Sequence, residues 1–334
     1  MQPWPTLSVA PMLDWTDRHC RYLHRLFGAH TQLTTEMVHG NAIVKGDRER
    51  HLAFSPEEHP VALQLGGNEP ELLAEATRIG ADYGYDEINL NVGCPSDRVQ
   101  AGAFGACLMA EPDTVARCVA AMARATDRPV TVKCRLGITR PARGDAPALD
   151  LDTDEHLHRF VGALVDAGVA GVIVHARKAI LGGLSPKENR TVPPLQYERV
   201  FALKQAFPTL PISLNGGLTS LAEVQAVLPH CDGVMIGRAA YHDPCLLGTL
   251  HEALLTPESP APSLAAVLEA YGAYAEAQFA QGVPLGTLTR PLLGLVQGRP
   301  GARRFRRLLS EGARQEGAKP ALLTEALSLL KDAA

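Results

Sequence analysis

Asn89-Leu90-Asn91-Val92-Gly93-Cys94-Pro95 closes a short apolar run, Glu87–Val92, and places amides where the end of a dry core strand would stay apolar. Working outward, seven other short runs rich in β-branched residues have the same character. They are Leu7–Met12, Gln32–Val38, Val61–Leu65, Val130–Arg135, Gly171–Arg177, Ile212–Asn215 and Gly233–Gly237. Between them lie segments with helical periodicity, among them Glu69–Tyr83, Asp113–Thr126, Asp154–Ala167 and Ser220–Leu228. Pro70 and Pro112 stand where a first helical turn tolerates proline. Eight βα repeats over about 240 residues predict an α/β fold, a (β/α)8 TIM barrel. An open doubly wound sheet is the alternative, but the GxGxxG that would favour it after the first strand is absent.

In a parallel barrel the reacting side chains stand at the C-terminal ends of the strands. Strand one ends in Ala10-Pro11-Met12 and strand three runs through Gln64 into Gly66-Gly67. Strand five supplies Lys133-Cys134-Arg135, and strand six His175-Ala176-Arg177-Lys178. Strand seven ends in Asn215-Gly216-Gly217, and strand eight in Gly237-Arg238. One such residue is a satisfied or exposed side chain. A series of them would go unpaired in a dry barrel, so they are expected to line one pocket. Loops after strands seven and eight often hold a phosphate, and Arg238 can add a charge-assisted bond. A phosphate there, with Gln64, Lys133 and His175 facing a planar ring, suits flavin mononucleotide (FMN). A positive Lys133 near the pyrimidine end would stabilise the anionic reduced flavin.

A lone cysteine is usually a small core hydrophobe, the reading given to Cys118, Cys134 and Cys231. Cys94 differs: it follows Gly93 at a strand end, precedes Pro95 and opens a small-residue loop, Ser96–Ala106, of a kind that can move over a pocket. Thiols are mostly protonated at neutral pH, so Cys94 can serve as an acid or as a nucleophile.

The 334 residues include seven cysteines, an odd number, with no CxxC pair. A disulfide framework or zinc site is therefore not expected, and no metal is assigned. Met-Gln-Pro-Trp-Pro at the start lacks the pattern of a signal peptide, and no apolar run approaches the roughly 20 residues that span a bilayer. A cytoplasmic protein without a membrane partner is expected.

After residue 255 the texture changes. Thr256–Ser263 reads as a linker, followed by the helical stretches Leu264–Gln281, Thr289–Leu295, Ala302–Gly312 and Ala321–Lys331. The chain thus divides into a barrel domain, 1–255, and a small all-helical domain, 256–334. The net charge of −4 (32 Lys/Arg, 36 Asp/Glu) hides an asymmetry. Residues 285–334 hold nine basic and four acidic residues, hence +5, and the remainder is −9. Arg303 and Arg306, three apart, share a helix face. A run of charge is usually a solvated face, but beside a strand-end pocket it points to nucleic acid.

The joint pattern resembles the tRNA-dihydrouridine synthases, and within them the A-type subfamily. The resemblance runs from Leu7 to about Leu309. It is carried by Ser8–Asp17, Gln64–Gly67, Asn89–Ser96, His175–Lys178, Leu184–Arg190, Asn215–Gly217 and Gly237-Arg238. It implies an FMN-dependent reduction of the uracil C5=C6 bond in tRNA, with NADPH as reductant and D-loop uridines, chiefly position 20 and its neighbour, as targets. By resemblance the flavin contacts are Ala10, Pro11, Met12, Gln64, Lys133, His175, Asn215, Gly216, Gly217, Gly237 and Arg238. Cys94 resembles the general acid and Asn91 a residue that touches the uracil. Arg177, Lys178, Lys187, Arg190, Arg303 and Arg306 are the implied tRNA contacts. Two rival readings remain: an FMN barrel acting on a small pyrimidine such as dihydroorotate, and an RNA-binding protein that has lost its chemistry.

Overall fold

The computed structural model describes residues 4–142, 147–298 and 300–331; the first three residues, used above against a signal peptide, lie outside them. Among the described residues, eight parallel strands form the barrel wall: β1 Leu7–Val9, β2 Leu33–Thr34, β3 Val61–Gly66, β4 Glu87–Asn91, β5 Val130–Arg135, β6 Gly171–His175, β7 Ile212–Asn215 and β8 Gly233–Ile236. Their order around the sheet is β1-β8-β7-β6-β5-β4-β3-β2. A parallel bridge between Ser8 and Gln32 closes the ring. There Gln32 N donates to Leu7 O at 3.0 Å and Val9 N to Gln32 O at 2.9 Å. The fold is a (β/α)8 barrel with helices outside, as the alternation of short apolar runs and helical segments predicts.

Three strands differ from expectation, each for a local reason. β1 stops at Val9 because Pro11, two residues on, has no N–H for the ladder. The expected strand Gln32–Val38 breaks into β2 and a separate piece, Val38–His39, which pairs with the end of β3. At the break Thr35 Oγ1 accepts from Gln64 N at 3.0 Å, so a side chain replaces the backbone acceptor. β6 ends at His175, where Arg177 N folds back onto His175 O at 2.7 Å. Beyond β5 and β6 the short strands Ile138–Arg140, Leu149–Asp150 and Ala179–Ile180 form a small sheet of their own, too brief to signal in sequence.

Side chains alternate between the two faces of a strand, so every second residue points into the barrel. One part of the interior is apolar: Ala10, Ile173 and Met235 cluster against Trp4. Trp4 reaches in from the N-terminal side, and its indole N–H donates to Ser213 Oγ at 2.8 Å. Gly171 makes room for it, because a Cβ there would lie 2.2 Å from the indole ring. The other part, on β3 to β5, is polar.

From Leu264 onward the described residues form helices and turns only. Helix Leu264–Ala280 packs on helix Arg18–Phe27 of the barrel, with Tyr22 and Tyr274 stacked at 3.7 Å between centroids. His19 Nδ1 meets Tyr274 Oη at 2.8 Å, and Arg290 pairs with Asp17 at 2.6 Å. The helix expected over Thr289–Leu295 is displaced: Pro284 caps a helix over Leu285–Thr289, and Arg290–Gly294 is a 3-10 turn around Pro291. Helix Ala302–Arg307 continues into a wider turn over Leu308–Gly312. No helix among the described residues is long and apolar enough to cross a membrane.

Gly171→Ala should destabilise the protein by about 1–3 kcal/mol, the range for overpacking a filled interior. A melting curve should show Tm lower by several degrees, with the penalty lost in a Trp4→Ala background. An unchanged Tm would contradict the packing of Trp4 against Gly171.

Candidate active site

A cavity of about 990 Å³ opens at the C-terminal ends of the barrel strands. Ala10, Pro11 and Met12 enter it from the loop after β1. Gln64, Asn91, Lys133, His175 and Asn215 enter from β3 to β7, and Gly216, Gly217, Gly237 and Arg238 from the last two loops. Cys94 also faces it. Twelve of the residues singled out by sequence, from five strands and three loops, thus meet Cys94 in one space. Strand register explains the grouping: Gln64 stands beside Asn89, Asn89 beside Thr131, and Asn91 beside Lys133.

The polar residues of β3 to β5 satisfy one another. Asn91 Nδ2 donates to Gln64 Oε1 at 2.8 Å, and Gln64 Nε2 to Asn89 Oδ1 at 2.8 Å. Asn89 Nδ2 donates to Thr131 Oγ1 at 2.7 Å, and the Thr131 hydroxyl donates to Glu87. At the other end Asn91 Oδ1 accepts from Gly93 N at 3.1 Å and from Cys94 N at 3.0 Å. The loop after Cys94 contains a helical turn, Asp97–Ala101, and a 3-10 segment, Gly105–Ala110. It is tied back by Ala106 N donating to Cys94 O at 2.9 Å. Gly105 has φ +72°, and a Cβ there would lie 2.7 Å from Cys94 O. Cys94 Sγ is half-buried, 3.6 Å from Ser96 Oγ. Cys107 turns away, its thiol donating to Phe104 O at 3.1 Å, and burial raises its pKa.

The β5 to β8 side of the cavity is strongly positive. Lys133 Nζ donates to Asn215 Oδ1 at 3.0 Å, and Asn215 Nδ2 to Met235 O at 2.7 Å. Arg238 Nη2 donates to Arg190 O at 3.1 Å. Arg177 donates to Pro193 O. Among the described residues, no carboxylate forms a salt bridge with Lys133, Arg135, Arg177 or Arg238. Burial and then the Arg135 charge pull the Lys133 ammonium down to about 8. His175 is driven well below its ordinary value by burial and by the charges of Arg135, Lys133, Arg177 and Arg238, so its ring is neutral. Gly216 and Gly217, at φ +117° and +77°, turn the backbone beside it. A Cβ on Gly216 would strike the His175 ring at 2.6 Å, and one on Gly217 would strike Leu195 at 2.4 Å.

The remaining expected residues are scattered. Arg190 lines the cavity, whereas Arg177, Lys178, Lys187, Arg303 and Arg306 do not. Lys178 pairs with Asp152 at 3.2 Å, which also holds Arg199 at 2.6 Å. Lys187, Arg303 and Arg306 are exposed. Sequence reading named Arg135 among the strand ends expected to line the pocket but gave it no role of its own. It is 3% exposed, and its guanidinium ties three loops by donating to Gly93 O at 2.8 Å, Lys178 O at 3.1 Å and Asn189 O at 3.0 Å. Its place at the end of β5, two residues after Lys133, was the available signal. Asp17, Glu36 and Thr287 also line the cavity and were not foreseen.

The model of the dihydrouridine synthase family matches residues 8–331. A protein of Xanthomonas axonopodis pv. citri called tRNA-dihydrouridine(20/20a) synthase is 57% identical over 323 residues, covering 96% of this chain and 92% of its own. Proteins of the same name from Synechocystis and Vibrio cholerae are 53% and 51% identical, covering 97% and 96% of this chain and 94% and 95% of their own. The unpaired cations, the amide-lined strand ends and the thiol at the cavity wall thus sit in a chain that belongs to the dihydrouridine synthase family, an enzyme of the oxidoreductase class.

Proposed function

We propose that this enzyme reduces the C5=C6 bond of uridines in the tRNA D-loop, position 20 and its neighbour, drawing electrons from NADPH through FMN. The observation that carries this reading is the cavity itself. It joins a cation-rich end without carboxylate partners to a half-buried thiol. The relatives' names, which specify positions 20 and 20a of tRNA, support the substrate. The reading divides the chain near residue 255 into a catalytic barrel and a helical tRNA-binding region, with the cytoplasm as its location.

The residues fit FMN. Lys133, Arg135 and Arg238, which line the cavity without carboxylate partners beside a neutral His175, call for an anion. Gly216, Gly217, Gly237 and Arg238 would hold the phosphate, and Ala10, Pro11, Met12, Gln64, Lys133, His175 and Asn215 the ring and its tail. When bound, the flavin supplies a hydride to uracil C6. Lys133, held by Asn215, would turn its charge toward the pyrimidine end of the ring. Cys94 keeps a proton on Sγ and delivers it to C5, where charge develops through conjugation with the C4 carbonyl; the thiolate is reprotonated from solvent. Asn91 orients the uracil, which must leave its stack to enter. The tRNA contacts in this reading are Arg190 at the cavity wall, Arg177 and Lys187 outside it, Lys178 once released from its pair with Asp152, and Arg303 and Arg306, which would bind phosphates from helix Ala302–Arg307. A small pyrimidine such as dihydroorotate would give these exposed arginines no role.

Cys94→Ala should bind flavin and accept electrons from NADPH normally, while turnover of unmodified tRNA falls about a hundredfold or more. Stopped-flow flavin reduction and dihydrouridine assay separate the two halves; wild-type tRNA turnover would remove Cys94 from its role. Arg303→Ala with Arg306→Ala should weaken tRNA binding and reduce the salt slope by about two, one per lost phosphate contact. A fall in NADPH oxidation without tRNA would assign those arginines to the barrel instead. FMN affinity should fall as pH rises through about 8, because the free Lys133 ammonium loses its proton there and acceptor atoms at the pyrimidine end of the ring would favour the charged donor. Fluorescence titration between pH 7 and pH 9 checks this, and Lys133→Met should flatten the dependence. An unchanged slope in that variant would place the titration elsewhere.

A further inference from the structure

The polar chain on β3 to β5 has a direction, and each orientation in it follows from the one before. Gly93 N and Cys94 N are both donors, so the Asn91 atom facing them must be Oδ1. Asn91 Nδ2 must then face an acceptor, Gln64 Oε1. That turns Gln64 Nε2 to Asn89 Oδ1 and Asn89 Nδ2 to Thr131 Oγ1. The Thr131 hydroxyl, having accepted, passes its single proton on to Glu87. Every donor points away from the loop of Cys94, and the run ends on a carboxyl oxygen.

We propose that Glu87 is a positioning residue for the reaction: as the terminal acceptor of this one-way chain, it fixes the amide of Asn91 and thereby the loop that carries Cys94. Without an acceptor at 87, the Thr131 hydroxyl can donate back to Asn89. The chain then inverts through Gln64, and Asn91 presents its amino group to two backbone N–H groups. Donor meets donor, and the Gly93-Cys94 turn loses its anchor. Burial pushes the Glu87 carboxyl up to about 7, yet its role survives protonation, since the carbonyl oxygen of the acid still accepts. The importance for turnover rests on the reading of Cys94 as proton donor; the control of the loop does not.

The test compares Glu87→Leu with Glu87→Gln in the flavin-loaded protein. Leucine removes the acceptor at similar volume, while glutamine keeps a carbonyl oxygen facing Thr131. Three quantities are read: kcat on unmodified tRNA, the rate of flavin reduction by NADPH, and the rate at which iodoacetamide alkylates Cys94, followed by peptide mass. For Glu87→Leu, kcat should fall about tenfold to a hundredfold, as for a catalytic group displaced by about 1 Å. Flavin reduction should stay within about twofold and the alkylation rate should change severalfold. Glu87→Gln should recover most of the turnover and the wild-type alkylation rate. Wild-type kcat and alkylation in Glu87→Leu, or a Gln variant as impaired as the Leu variant, would overturn the proposal. If Cys94→Ala itself kept full turnover, the proton-donor reading would fail alone, and the alkylation rates would still decide whether Glu87 sets the loop. Should Glu87→Leu not fold, Glu87→Met removes the same carboxyl acceptor with a more flexible side chain, leaves the Thr131 hydroxyl in place and carries the same predictions.

Discussion

Asn91 Oδ1 accepts from Gly93 N and Cys94 N, and these two bonds join the barrel wall to the loop that holds the thiol. The wall beneath is rigid because it is a closed parallel sheet, with Asn91 in register beside Lys133. Moving the thiol therefore means breaking a side chain–backbone clamp as well as bending a loop. Arg135 reinforces it from the next strand, donating to Gly93 O at 2.8 Å. Two side chains of different strands thus grip one glycine by its N–H and its C=O, which leaves Cys94 little choice of position.

The electrostatics of the cavity follow from a second constraint. Lys133, Arg135, Arg177 and Arg238 spend their hydrogen bonds on carbonyls and amides, so their charges remain uncompensated. Concentrating positive charge in a wall of neutral partners costs stability and makes an attractive site for an anion. The mean charge of the chain conceals both this site and the exposed arginines of the C-terminal helices. Asp17 and Arg290 give part of the tail's charge a structural task, since their pair at 2.6 Å ties the helices to the barrel. The exposed Arg303 and Arg306 belong to the part left over.

Much of this was legible in the sequence. Seven of the expected strands appear in the structure with boundaries near those read from run length and β-branching, and the run Gln32–Val38 yields a strand broken in two. The gathering of amides, Lys133 and His175 at strand ends followed from the barrel alone. What stayed hidden depends on partners far apart in the chain. Nothing near Thr35 shows that its hydroxyl will take the Gln64 N–H and break β2. Lys178 reads like its neighbours in a basic stretch, yet Asp152 claims it. Glu87 looks like the solvated start of a strand, and only the register of β4 against β5 reveals Thr131 beneath Asn89.

The central claim is that the cation-rich end of the cavity holds the flavin phosphate and leaves the ring within reach of Cys94. A crystal structure of the flavin-loaded protein tests it most directly. The account predicts the phosphate against Gly217 and Arg238, the pyrimidine end of the ring at Lys133, and an open face toward the Cys94 thiol. A phosphate seated instead near Asp17 and Glu36, or a ring whose open face is turned away from Cys94, would contradict it.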